Sequence, residues 1–313
     1  MKSKELCVYL ERLRSARNIS QEAFTDEIVS LRQYRRYLSG ESDIPFQVIH
    51  QLTVKLGVKT DSLLRDFDYA KVLESELIIK MYNNVVNYNF DEYLKAYKNV
   101  PLEHIIENNN RLLYQYSHVL YLYFTKKLSL EEAAQANVKL INYPKILNQQ
   151  VVTSIELLVL SSFLDFLDES HHQNILNKIE MYIKDNSILI SDANEKIYVF
   201  VLAKLAKHLG INDDLEGVIT YCSIGIEKNT ELKSYYLMDY LYYYSALAYY
   251  SLGQMENYET FVVKCFNVLH FEGNESKIKK FRDLIKEDFN VEFEDYVLDH
   301  YLQRRENKKN QNV

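Results

Sequence analysis

Apolar side chains recur every three to four positions along nearly the whole chain, a period that predicts helices rather than strands. Leu6, Leu10 and Leu13 share one face of a first amphipathic helix. Ser20 precedes Gln21, Glu22, Ala23, Phe24 and Ile28 as an N-cap: its hydroxyl can accept from an orphan N–H, and Glu22 sits at the positive end of the helix dipole. After a break at Val29, Ser30 is positioned to cap a third helix, Leu31 to Leu38. In it Tyr34, Tyr37 and Leu38 turn inward and Gly40 supplies a left-handed stop. Pro45 opens a fourth helix with Phe46, Ile49, Leu52 and Leu56 on one side, stopped by Gly57. Thr60 is expected to cap a last turn holding Leu63 and Leu64.

From Val72 onward the periodicity recurs in blocks of roughly forty residues. The candidate helix pairs are 72–86 with 90–99, 110–126 with 129–141, 151–168 with 172–185, 192–209 with 213–228, 234–252 with 255–270, and 275–287 with 293–303. Ser129 and Glu132 have the spacing of a capping box. Two blocks align with each other: Ala203, Ala206 and Leu209-Gly210 match Ala246, Tyr249 and Leu252-Gly253 at a separation of 43 residues. The expected organisation is a module over 1–65, a stiff helical connection over 66–71, a repeat domain over 72–303 and a polar, frayed tail over 304–313.

Composition narrows the fold class. Only 7 Gly and 3 Pro punctuate 313 residues, far too few for the turns of a β-sandwich or the Gly-rich loops of a doubly wound α/β protein. With 47% hydrophobic and 26% charged residues, the chain has the makings of a real core. An all-α protein is expected. Cys7, Cys222 and Cys265 show no CxxC spacing, which argues against a disulfide framework or a zinc knuckle. Cys222 and Cys265 fall on apolar helix faces, and Cys7 stands on the first helix with nothing basic close by to lower its pKa. The chain opens without a charged-then-apolar leader. No apolar run reaches the ~18 residues of a membrane helix; the nearest, Tyr235 to Tyr250, is broken by Asp239. A cytoplasmic protein without a membrane partner is expected.

Charge divides unevenly. Residues 1–65 hold 11 basic and 8 acidic side chains, and the remainder holds 26 basic and 36 acidic ones. A polyanionic partner therefore belongs to the N-terminal piece. The third helix sharpens this, because it carries Arg32, Arg35 and Arg36 and no acidic residue. Arg reaches guanine edges or phosphate oxygens and Gln reaches adenine, so a short braced helix of this kind suits the major groove of duplex DNA. Catalytic signatures are missing: no GxGxxG, P-loop or GxSxG occurs, and His171-His172, read as part of an inter-helix turn near Asp165, Asp168 and Glu169, lack metal-ligand spacing. No enzyme, cofactor or metal site is expected.

Residues 13–64 resemble the lambda-repressor-like (Xre-type) helix-turn-helix domain, on Leu13-Arg14, Ser20-Gln21-Glu22, Val29-Ser30, Gly40-Glu41, Pro45 and Leu56-Gly57-Val58. The turn carries no Gly before Val29, and Thr25 stands where the pattern has a small residue. The resemblance implies a five-helix module in which Gln21 holds a phosphate and Leu31, Arg32, Gln33 and Arg36 face the groove. Ser20, Ser30 and Arg35 complete the candidate DNA surface. The aligned blocks at 203–210 and 246–253 are similar to tetratricopeptide repeats, with Tyr258, Val262 and Cys265 continuing the second. That likeness implies a right-handed α-solenoid whose concave face binds an extended peptide. In that register Phe200, Lys204, Lys207, Tyr240, Tyr243 and Tyr250 line the groove, a surface that suits a chain with 27 Tyr.

The combination resembles the peptide-pheromone-responsive regulators of Gram-positive bacteria, the Rgg, PlcR, PrgX and ComR types of the RRNPP superfamily. It implies a homodimer on a pseudo-palindromic operator, controlled by a short linear peptide. Two other readings stay open: a plain repressor that senses nothing, and a repeat scaffold that holds a protein partner at a promoter. Converging groove residues over an open channel favour the sensor, and a groove filled by the protein's own side chains favours the plain repressor.

Overall fold

A computed structural model describes residues 3–167, 169–185, 189–190 and 195–311. Among the described residues the protein is all-α apart from one parallel pairing of two-residue strands, β1 (Val152–Thr153) with β2 (Leu189–Ile190). It divides into two compact units, residues 1–146 and 147–313.

The first unit begins with α1 (Ser3–Ala16), α2 (Gln21–Thr25), α3 (Leu31–Ser39) and α4 (Phe46–Lys55). Their inward faces build one core around Leu6, Leu10, Phe24, Tyr34 and Leu52. The anticipated N-caps are formed: Ser20 Oγ accepts from Ala23 N and Ser30 Oγ from Gln33 N. Gly40 ends α3 at φ +81°, and a Cβ there would lie 2.9 Å from Lys4 Cδ. Pro45 stands as the N-cap of α4, but Phe46 points outward, 64% exposed, so the buried face of α4 is Ile49 and Leu52 without it.

The expected last turn is the start of something longer. Helix α5 (Thr60–Val86) runs unbroken for 27 residues through 66–71, and its N-cap is Lys59 with no side-chain bond. Thr60 turns its hydroxyl inward to Thr53 Oγ1 and His50 Nδ1, both at 2.9 Å. Helix α5 then packs on α6 (Phe90–Asn99) and α7 (Asn108–Phe124), and α7 packs on α8 (Leu130–Leu140). Buried Glu74 of α5 accepts from the N–H groups of Ile106 (2.7 Å) and Glu107 (3.1 Å) and from Asn110 Nδ2 (3.0 Å), covering donors that open α7. Ser129 and Glu132 form the capping box of α8.

The described residues of the second unit form four helix pairs: α9 (Ser154–Phe166) with α10 (Glu169–Lys184), α11 (Glu195–Ile211) with α12 (Leu215–Glu231), α13 (Met238–Ser251) with α14 (Met255–Glu272), and α15 (Glu275–Phe289) with α16 (Phe293–Gln311). The first helices α9, α11 and α13 pack side by side. Ala206, Ala246, Val262 and Cys265 are fully buried, the small side chains letting helices approach. The two Leu-Gly positions behave differently. Gly253 follows α13 at φ +71°, whereas Gly210 lies inside α11, which continues to Ile211. Two corrections concern the edges of this unit. His171 and His172 ride on α10 rather than in a turn, and the expected frayed tail is helical as far as Gln311; Asp168, also named in the sequence reading, lies outside the described residues.

Gly40→Ala should lower the unfolding free energy by about 1–2 kcal/mol, because alanine must hold a left-handed backbone against Lys4. Denaturant unfolding of the full chain measures it, with Gly253→Ala, which meets no atom within 4 Å, separating the backbone cost from the clash.

Candidate functional site

Helix α3 presents its arginines because its other side is fastened down. Tyr34 is fully buried, edge-on to Phe24 at 5.8 Å between ring centroids. Its hydroxyl donates to Glu11 Oε2 at 2.9 Å. The same carboxylate takes Gln21 Nε2 at 2.7 Å and Arg14 through Nε at 2.8 Å and Nη2 at 2.6 Å. One anion thereby joins α1, α2 and α3. Burial alone would raise the Glu11 carboxyl; the bonds from Arg14, Gln21 and Tyr34 and the Arg14 charge outweigh it and hold the group below its ordinary value. Burial pushes the Tyr34 phenol far up, and Glu11 pushes it in the same direction, so the hydroxyl remains a donor.

Three other cations of the module brace it from within or across its surface. Arg14 also donates to Ile19 O, Arg17 donates to Leu56 O, and Lys55 Nζ closes the end of α2 on Ala23 O (2.9 Å) and Asp26 O (2.6 Å). Arg32 and Arg35 are exposed, and Arg36 reaches Glu41 at 3.5 Å with both side chains largely in solvent. Together with Leu31 and Ser39 they line a shallow concavity of about 580 Å³.

Of the eight candidate DNA residues, Leu31, Arg32, Arg35 and Arg36 share this face. Ser20 and Ser30 are exposed at helix starts with their hydroxyls engaged as caps. Gln33 is half-buried and donates to Ser42 Oγ at 2.9 Å, and the Gln21 amide is committed to Glu11. Glu11 itself escaped the sequence reading. Its visible trace is an acidic residue three before Arg14 in a helix whose neighbours Leu10 and Leu13 face inward.

In the second unit the six candidate groove residues do not form one cluster. Lys204 and Lys207 of α11 both turn to Asp165 of α9, Lys207 at 3.7 Å, and Lys204 also lies 5.7 Å from the Phe200 ring centroid. Tyr240 packs on Phe281, and its hydroxyl accepts from Lys280 Nζ at 3.0 Å. Tyr250 is exposed at the far end of α13, between Tyr258 and Phe289. Tyr243 is a correction: it is buried, packed on Phe281, and its hydroxyl donates to Asp288, because its position on α13 faces α15. The sequence reading also passed over an ion pair in this unit. Asp239, 1% exposed, meets Lys277 Nζ at 2.7 Å, and Lys277 reaches Glu272 at 2.8 Å. Burial raises the Asp239 carboxyl and the Lys277 charge opposes it.

The three cysteines are fully buried. Burial, with Asp43 adding to it, pushes the Cys7 thiol up to about 12, and burial pushes Cys222 to about 12, so neither forms a ready thiolate. Among the described residues no helix is long and apolar enough to cross a membrane, and no cluster of His, Cys, Asp and Glu could hold a metal.

Comparison with known proteins identifies the fold. No family model matches the chain, and no curated protein matches it. Among solved structures, the apo competence regulator ComR from Streptococcus vestibularis is similar at a TM-score of 0.54 and 14% identity, over 92% of this chain and 99% of that one. The same regulator in complex with its cognate signaling peptide XIP gives 0.51 at 15% identity, over 92% and 99%. Apo PlcR from Bacillus thuringiensis gives 0.50 at 17% identity, over 84% and 96%. At such identities the likeness establishes a shared all-α architecture.

Glu11→Gln should destabilise the first unit by about 1–3 kcal/mol, since Arg14 then loses its charged partner in a half-buried site. The native Glu11 pKa lies below the unfolded one, so its contribution is full above the unfolded value and is lost as pH falls through the native value. Chemical unfolding between pH 7 and pH 3 should therefore show a shallower acid loss in Glu11→Gln than in wild type. Parallel curves would refute the role given to this carboxylate.

Proposed function

We propose that the chain is a transcription regulator that binds duplex DNA through α3 as a two-fold dimer on a pseudo-palindromic operator, and that a short linear peptide held by the second unit controls it. The observation that carries the first half is the sorting of cations. Arg14, Arg17 and Lys55 reach back to groups of the module itself, while Arg32, Arg35 and Arg36 stand together on the exposed side of a helix locked by Glu11. In that pose Arg32 and Arg36 supply groove or phosphate contacts, Leu31 offers apolar contact to a thymine methyl, and Gln33 can exchange Ser42 for an adenine edge. The cap hydroxyls of Ser20 and Ser30 and the Gln21 amide lie at the two helix starts where phosphates approach.

Support for the peptide comes from the shared fold with a regulator seen holding its signaling peptide, and from the surface of α9, α11 and α13. Phe200, Lys204, Lys207, Tyr240 and Tyr250 remain on partly or fully exposed positions there. A peptide carboxylate would exchange with Asp165 for Lys204 and Lys207. Preference for one arrangement of the second unit then shifts the population of DNA-competent dimers. One observation favours the plain repressor instead: Asp165 already occupies both lysines, and Tyr243 is buried.

Three measurements test the proposal, and the last separates the peptide sensor from the plain repressor. Arg32→Ala with Arg36→Ala should abolish sequence-specific DNA binding in fluorescence anisotropy without changing the circular dichroism spectrum; retained specific binding would overturn the assignment of α3. Wild-type affinity should fall with salt at a log–log slope of about 0.9 per phosphate contact. Calorimetry against a panel of short linear hydrophobic peptides should show binding that Lys204→Ala with Lys207→Ala removes. No heat with any peptide, alongside intact DNA binding, leaves the plain repressor.

A further inference from the structure

The outer face of α5 carries a second apolar stripe. Tyr69, Val72, Leu73 and Leu77 are 64, 55, 46 and 39% exposed, while Leu63, Phe67, Glu74, Ile78 and Met81 are buried on the other side of the same helix. At 100° per residue, Asp66, Tyr69, Leu73, Leu77 and Lys80 fall in a sector of about 80° centred on Leu73, and all five are exposed. A helix at the surface of a globular unit ordinarily turns charges outward. A continuous outward apolar stripe bordered by charge marks a surface for association.

The order of residues along the stripe says what fits it. Counted outward from Leu73, Tyr69 and Leu77 stand four residues away on either side, and Asp66 and Lys80 stand seven away. Laid antiparallel on a second copy about a two-fold axis at Leu73, the stripe is complementary to itself. Leu73 meets its own counterpart, Tyr69 meets Leu77, and Asp66 meets Lys80 at both ends. A parallel arrangement would set Asp66 on Asp66 and Lys80 on Lys80. Two-fold interfaces have this property of one patch matching itself.

We propose that α5 is the face on which two copies of this chain associate, packed antiparallel through Tyr69, Leu73 and Leu77 and closed at each end by an Asp66–Lys80 pair between subunits. The proposal rests on the dimer in the function proposed above and is independent of the peptide. One helix against its copy buries an area near the lower limit for a specific interface, about 1,000 Å² in total, the size class of weak or transient contacts.

Sedimentation velocity of the full chain over a concentration series tests it. Wild type should pass from monomer to dimer, and Leu73→Glu should weaken association by about tenfold or more, because two carboxylates are forced together at the axis. Asp66→Lys alone and Lys80→Asp alone should each weaken it, since each homodimer then holds two like-charge contacts. An equimolar mixture of these two variants should recover wild-type association, because every end contact in the mixed dimer is again between opposite charges. That recovery decides the matter even if Leu73→Glu fails to fold. A wild-type chain that stays monomeric throughout, its stripe then covered by the chain itself or by another protein, would sink both the dimer and this interface. A dimer insensitive to Leu73→Glu and unrestored by mixing would leave the dimer standing and overturn the assignment to α5.

Discussion

Helices of five and nine residues do not persist in water by themselves, because nucleation is costly and too few hydrogen bonds follow it. Here α2 and α3 have those lengths, and what fixes them is the carboxylate of Glu11. A half-buried charge is tolerable only when donors surround it, and Glu11 has them from Arg14, Gln21 and Tyr34. Each donor comes from a defined point on α1, α2 or α3, so satisfying the charge also sets the angles between helices. The exposed arginine face of α3 is the reverse side of that constraint. An apolar cluster could bury equal area, but it would not specify orientation to the same degree, since dispersion contacts are non-directional and hydrogen bonds to a charge are not.

Within the first unit the same logic extends from the DNA module to the helices beyond it. The module has no flexible neck: α5 leaves its core at Leu63 and Phe67 and runs on as one helix to Val86. Lys71 ties Glu5 of α1 to Glu107 at the start of α7, at 3.4 and 2.8 Å. Glu74, one turn further, holds the N–H groups of Ile106 and Glu107, and Ile106 itself packs into the module's core. Turning the module about residues 66–71 would break a helix and expose a buried carboxylate. A change in the direction of α3 therefore has to move α5 and α7 with it.

The parts of this fold legible in the sequence are the ones set by local chemistry. Ser20, Ser30, the Ser129–Glu132 box and Gly40 each satisfy or end a helix with neighbouring residues, so spacing alone locates them. Outward arginines were legible for a similar reason, because Tyr34 and Tyr37 define the buried side of α3. What escaped depends on partners distant in sequence. Glu11 needs Gln21 and Tyr34, Asp239 needs Lys277, and Lys204 meets Asp165 across 39 positions. Tyr243 misled for the same reason: α13 is apolar or aromatic around most of its circumference, so periodicity does not say which tyrosine faces a groove and which faces α15. Phe46 was assigned inward by spacing, yet it is the first residue after Pro45, where the helix has not yet come under cover.

Charge separates the roles of the two parts of the chain more sharply than sequence motifs do. Beyond residue 65 acidic side chains outnumber basic ones by 36 to 26, and several lysines there are held by acidic neighbours: Lys277 by Asp239 and Glu272, Lys204 and Lys207 by Asp165. A surface of that kind repels a polyanion at distances within the Debye length, ~8 Å at physiological salt. Attraction is then confined to the N-terminal module and is densest on α3, which sets three exposed arginines together, Arg36 in solvent-exposed contact with Glu41. Confinement matters for selectivity. Phosphate attraction spread over the whole molecule would favour any duplex in any register, whereas a single small cationic face leaves discrimination to the few side chains that can reach a base edge.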